Sequence, residues 1–136
     1  MSRLLIPAAA VLLCGAIASN AAQAPAPKRK VVTTKAGVYT AAQAAKGEQV
    51  YMAFCLSCHP AGTYAAPAFR QKWNGHLLSE LYSLISTQMP KEQPGTLEDG
   101  DYANVIAYLL KINGAPTGKK ALPADEKALK SIRISM

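Results

Sequence analysis

Apolar positions recur with a helical period at two places in the chain: Leu78, Leu81, Tyr82 and Ile85, and then Tyr102, Val105, Ile106 and Leu109. The first set predicts a helix that stops before Pro90, because the residue preceding a proline avoids helical backbone angles. The second predicts a helix capped by Thr96, with Glu98 and Asp99 placed favourably in its first turn. Asn113-Gly114 should end it, and Pro116 should keep it from resuming. Gly100 is a local weakness in its first turn, costing about 1 kcal/mol against alanine. Upstream, Thr40-Ala41-Ala42-Gln43 reads as a capping box. It predicts a helix running to Cys55 with Gly47, Val50, Tyr51 and Phe54 on one side. Residues 60–76 contain Pro60, Gly62, Pro67 and Gly75 and keep no period, so a loop is expected there, and another over Lys91 to Gly95. No stretch alternates as a strand does and none repeats. The pattern therefore predicts an all-α domain of short helices, ordered from about Tyr39.

The apolar character of the first twenty residues is of another kind. Arg3 precedes Leu4-Leu5-Ile6 and a run through Val11-Leu12-Leu13, followed by the small residues Ala16, Ala18 and Ala21. A basic start, an apolar centre and small residues at the end describe a secretory signal peptide, residues 1–21, with cleavage after Ala18 or Ala21. The run is shorter than the roughly 20 residues of a spanning helix. Lys28-Arg29-Lys30 would also stand on the exported side, against the positive-inside bias. Membrane contact is therefore expected to be peripheral at most. Ala24-Pro25-Ala26-Pro27 is a stiff spacer within a Pro/Ala-rich and basic linker, 22–38.

Charge changes this picture little. The formal net charge of the whole chain is +7. Between residues 37 and 118, however, Lys46, Arg70, Lys72, Lys91 and Lys111 face six acidic residues, so the central domain is near neutral. The basic surplus belongs to the linker and to a C-terminal extension, 119–136. A basic chain raises the question of nucleic acid, but a surplus confined to flanking segments reads as solvated tails, and no nucleic-acid partner is expected. A core of about eighty residues is marginal alone and usually contains a disulfide, a metal or another insert.

Candidate chemistry concentrates in Cys55-Leu56-Ser57-Cys58-His59. A thiol–disulfide switch would want this pair at a helix start among strands, whereas it falls at the end of a predicted helix. A structural zinc would want four ligands, and Cys55, Cys58, His59 and His76 are enough in number. Adjacent Cys58 and His59 point in different directions, however, which makes one tetrahedron awkward to close. The third reading is covalent haem, for which C-x-x-C-H is the attachment signature. Both thiols would form thioethers along one edge of the ring, and His59 would supply an axial imidazole. Of the possible second ligands, Met52 lies one helical turn before Cys55, on the same side as His59, Met136 lies in the tail, and His76 sits in a glycine-bounded loop. Met89 follows a helix and precedes Pro90 in a loop able to reach the far face. His59 and Met89 are thus the expected axial pair.

With these residues in register, 39–118 resembles a class I cytochrome c. Gly47, Tyr51 and Cys55 reproduce that family's G-x3-aromatic-x3-C, and Met89-Pro90 resembles its sixth-ligand loop. The resemblance implies a small all-α, cytochrome c-like helical domain wrapped around one covalently bound haem c. It implies that Gly47 admits the last helix, with an aromatic such as Tyr108 against it. It also implies that the Pro67 carbonyl receives the ring N–H of the proximal histidine, and that Trp73 stands beside the haem propionates. Pro60 departs from the family pattern, in which a glycine often follows the histidine. "KWNGHLLSELYSLISTQMP" and "VIAYLLKINGAPTG" look most like bacterial periplasmic monohaem cytochromes. The implied function is single-electron transfer without catalysis. A quinoprotein dehydrogenase would be a donor and a terminal oxidase or another cytochrome an acceptor. The alternative is a haem enzyme with an open sixth position, using Gln88, Lys91 or Glu92 above the iron.

Overall fold

In the computed structural model, which describes residues 30–136, helix α1 (Ala41–Phe54) crosses the long C-terminal helix α5 (Asp99–Ile112) at a point fixed by one glycine. A Cβ built on Gly47 would stand 1.8 Å from the backbone oxygen of Asn104, so only a residue without a side chain permits this approach. Just beyond the crossing, the rings of Tyr51 and Tyr108 meet at 5.1 Å. α5 is buried on almost every side, through Tyr102, Ala103, Val105, Ile106, Ala107, Tyr108, Leu109 and Leu110. It is the axis about which the rest packs. Each large apolar side chain buried there is worth about 1.5–3 kcal/mol.

Helix α4 (Leu78–Gln88) lies against α5 through Leu78, Leu81 and Tyr82 and ends at Met89, as the apolar spacing predicts. Between α1 and α4 the expected loop is in fact two short helices, α2 (Ala61–Tyr64) and α3 (Pro67–Trp73). The two prolines that read as breakers instead stand at helix starts. Pro60 is the N-cap of α2 and Pro67 the first residue of α3, where a missing N–H costs nothing. The predicted cap of α5 also moves. Glu98 occupies the N-cap without a side-chain bond, while the Thr96 hydroxyl donates to the Gln93 carbonyl at 2.8 Å inside the preceding loop.

The Thr40 cap of α1 stands, its oxygen accepting from the Gln43 amide at 3.1 Å. The Gln43 side chain does not complete the box. It is buried, and its amide group pairs with both backbone groups of Leu122, at 2.9 and 2.7 Å. Phe54 is likewise not part of the packed face of α1, being 52% exposed.

The segments on either side of the helical domain are ordered upon it. β1 (Val32–Thr33) pairs in parallel with β2 (Ile132–Arg133), in register Val32 with Ile132, and a 3-10 turn over Thr34–Ala36 follows β1. Order therefore begins before Tyr39. Strands this short carry no alternation that a sequence could show. The Thr34 hydroxyl donates to the Ser135 carbonyl at 2.7 Å and accepts from its amide at 2.9 Å. α6 (Glu126–Leu129) buries Leu129 and β2 buries Ile132, while Ile134, just after β2, is buried and bonds through its backbone to Gly75 and His76. The C-terminal extension wraps the domain. The expected signal peptide and the linker up to residue 29 lie outside the described residues.

Candidate functional site

The chain leaves α1 in a tight turn. The amides of Cys58 and His59 both bond back to the Cys55 carbonyl, at 3.2 and 2.9 Å. Cys55 is half-buried, Cys58 is exposed, and both thiols are free. This turn forms part of a cavity of about 440 Å³, within the range of cofactor pockets at roughly 300–1,000 Å³. The walls are mainly apolar and aromatic. Tyr51 and Phe54 of α1, Tyr64 of α2, Phe69 and Trp73 of α3, Leu81 and Ile85 of α4, and Val105 and Leu109 of α5 all contribute. Met89 lines the same cavity from the end of α4. Two stretches separated by three helices and their connections are thus brought to one space.

The His59 position is fixed twice. Its backbone carbonyl accepts the hydroxyl of Tyr51, and its ring Nδ1 is hydrogen-bonded to the hydroxyl of Tyr64 at 2.8 Å. The ring's partner is therefore Tyr64 and not the Pro67 carbonyl; Pro67 is spent in opening α3, whose next residues, Ala68 and Phe69, line the cavity. Tyr64 is held in turn by Asn113 at the end of α5. The Asn113 amide donates to the Tyr64 carbonyl at 2.6 Å and to the Leu109 carbonyl at 2.8 Å. Arg70 reaches the same asparagine at 3.3 Å and the Ala65 carbonyl at 3.0 Å.

Burial pushes the Tyr51 phenol up to about 12, with the neighbouring Tyr64, Cys55 and Tyr108 adding to the shift. Tyr64 is raised by burial and then by Cys55. Both phenols remain protonated throughout the neutral range. Burial also pushes the Cys55 thiol up. That is opposite to what a reactive exchange thiol needs, and Cys55 sits at the C-terminal end of its helix.

The other sequence candidates separate clearly. Trp73, 7% exposed, lines the cavity, packs on Phe69 at 6.4 Å and carries the Lys72 ammonium 5.4 Å from its ring centre. His76 stays outside, half-exposed and paired with Glu80 one turn along. Met52 is 62% exposed and does not line the cavity. Lys91 and Glu92 reach the cavity wall and Gln88 does not. Among the described residues no three His, Cys, Asp or Glu side chains gather as a metal cluster, so the four-ligand zinc arrangement is not assembled. Tyr64, which bonds the His59 ring, Asn113, which holds Tyr64, and Tyr102, whose hydroxyl bonds the Met89 carbonyl from outside the cavity, are supports that sequence reasoning missed. Tyr64 follows His59 by a step that matches no helical contact, and Tyr102 reads as ordinary core.

An all-helical small domain that gathers a C-x-x-C-H turn and a distant methionine around one apolar cavity is a cytochrome-like fold. The chain belongs to the family described as cytochrome c oxidase, cbb3-type, subunit III, whose family model matches residues 42–109. That membership associates it with respiratory redox chemistry. The matched span contains every residue lining the cavity, whereas the β1–β2 clasp lies outside it. No curated protein and no solved structure matches the chain. Among the described residues no helix is long and apolar enough to cross a membrane.

Proposed function

We propose that this protein is a periplasmic monohaem cytochrome of class I type that carries single electrons between redox partners and is not itself an enzyme. The observation that carries the reading is the convergence of Cys55, Cys58, His59 and Met89 on one apolar cavity of cofactor size. The donor set fits haem c. Two free thiols have the attachment spacing, an imidazole follows at once, and a thioether comes from a separate element. When bound, such a group would supply a one-electron iron couple whose potential a methionine ligand raises.

The chain's own residues would do the rest. With His59 Nδ1 donating to the Tyr64 oxygen, Nε2 is left free as the ligating nitrogen, and the hydrogen bond orients the ring and strengthens its basicity. Tyr51 fixes the backbone of the same residue and Tyr64 its ring, so backbone and imidazole are each held by one bond. Phe69, Trp73, Leu81 and Ile85 exclude water and hold the local dielectric low. Met89 would supply the second protein ligand to that group and leave no position for a substrate.

Export by the N-terminal segment would bring the protein to the periplasm. Partners of the oxidase and quinoprotein dehydrogenase classes would reach it through the rim of the Cys55–Cys58 turn. Met52, Phe54 and Leu56 are exposed there, and no charged residue occurs from Gln49 to Phe69. Docking on such a face should depend weakly on salt, and an electron-transfer rate that falls steeply with ionic strength would contradict it.

Visible spectra of the purified protein test the assignment. Sharp c-type bands that survive denaturation, a ferric methionine–iron band and indifference of the ferrous form to carbon monoxide are expected. Colourless protein would end the haem reading. Ready binding of carbon monoxide would instead favour a haem enzyme with an open sixth position, with Lys91 and Glu92 nearest to serve it.

A further inference from the structure

The loop that carries Met89 has few attachments. Residues 91–96 are all exposed, and within the loop Gln93 bonds only back to Pro90, and Thr96 back to Gln93. Its two ends are nevertheless joined at one atom. The hydroxyl of Tyr102 donates to the Met89 carbonyl at 3.0 Å and accepts from the Leu97 amide at 3.3 Å. Tyr102 is 2% exposed, sits on α5, and packs edge-on against Tyr82 at 6.3 Å. Among the described residues no other side chain from outside 89–97 hydrogen-bonds to this loop.

We infer that Tyr102 is the positioning residue of the Met89 ligand. By holding both ends of the loop against the central helix, its hydroxyl sets how much of the time the Met89 thioether faces the cavity. The inference rests on Met89 being an axial ligand. It adds that the ligand's occupancy is governed by a buried phenol that does not line the cavity.

The physical argument is one of population. The Met89 backbone has one further anchor, its amide bonded to the Ile85 carbonyl at 3.0 Å, which ends α4 but does not restrain the loop beyond. Removing the Tyr102 hydroxyl deletes the two bonds that make the loop a closed ring. If each of the two bonds contributes toward the lower end of the net range for a hydrogen bond, their joint loss makes the ligand-off state roughly tenfold more populated, about 1.4 kcal/mol. An external ligand that binds only the open form gains apparent affinity by the same factor.

The experiment titrates the ferrous holoprotein with carbon monoxide and records the ferric methionine–iron band in wild type, Tyr102→Phe and Tyr82→Phe. Tyr82 is an equally buried tyrosine whose hydroxyl bonds Asp99 at 3.1 Å and does not touch the loop. Tyr102→Phe should bind carbon monoxide about tenfold more tightly and weaken the methionine band, while Tyr82→Phe stays closed. Equal behaviour of the two variants overturns the positioning role, whether both stay closed or both open through general loosening. If Tyr102→Phe fails to accumulate, Tyr102→Phe combined with Gly100→Ala, which improves α5 at a position with open space around it, serves instead. Wild type that already binds carbon monoxide readily would overturn the Met89 assignment and this inference together. A closed wild type with an unchanged Tyr102→Phe would remove this inference alone.

Discussion

The turn Cys55–His59 and the loop 89–97 both face the cavity, yet they are held in contrasting ways. The turn is bonded within itself, to Tyr51 behind it and to Tyr64 beside it, and Tyr64 is tied through Asn113 to the end of α5. The loop is solvated along its length and joined to the helical core mainly at its two ends. One wall of the cavity is thus part of the core, and the other is a strap over it. In the His/Met electron carrier we propose, this difference would have a use. The imidazole is fixed by packing that also holds the fold together, while the thioether sits on an element that can be tuned without disturbing the rest.

The contrast is broken most severely at Gly47. Gly47→Val would drive a side chain into the backbone of Asn104, and an unfolding free energy lower by about 3 kcal/mol or more is expected, seen as loss of soluble protein or a much lower Tm. Tyr51→Phe sharpens the contrast from the rigid side. It leaves the His59 carbonyl without its donor and should cost about 1–3 kcal/mol in denaturant unfolding, with the methionine–iron band intact. A lost band with unchanged stability would mean that the two walls are not independent.

Met89→Ala tests the other side. The side chain is only half-buried, so the stability loss should stay below about 2 kcal/mol, the lower end for a buried methionine. Carbon monoxide should then bind without competition and the reduction potential should fall. The smallest expected effect is alkaline. Burial, followed by the Asp99 hydrogen bond, pushes the Tyr82 phenol up to about 12 from its ordinary value of 10.0. The unfolded chain releases this proton first, so stability is intact below about 10 and falls as the pH rises toward about 12. Tyr82→Phe should flatten that decline in denaturant midpoints measured across the range. Tyr51, also raised to about 12, should leave a residual slope.

Much of the site was legible because it is written in residue types that chemistry restricts. Few residues other than Cys-x-x-Cys-His at a helix end suggest covalent haem, and Met89 stood out by following a helix and preceding Pro90. The 0, 3, 4, 7 spacings placed α4 and α5, and the glycine at 47 marked the crossing. The supports were not legible. Tyr64 and Tyr102 act through single hydroxyls whose partners lie five and thirteen positions away, distances that correspond to no periodic contact. Pro60 and Pro67 were read as interruptions because a proline's effect depends on whether it stands at the first turn of a helix or inside one. Thr96 looked like a cap by type, but the loop used its hydroxyl first. The paired strands were hidden for a different reason: two residues on each side have no period, and the pairing is visible only once the ends are in contact.

That pairing has a consequence in time. Thr34 and Ser135 exchange two hydrogen bonds although they are 101 positions apart. A ribosome makes the first partner long before the second. Until residues 132–135 emerge, β1 has nothing to pair with, and Gln43 lacks its partner until Leu122 is made. Throughout that interval Cys55 and Cys58 have already been made, in a chain that cannot yet close. Whatever reaches those thiols during synthesis meets them on an unfinished fold.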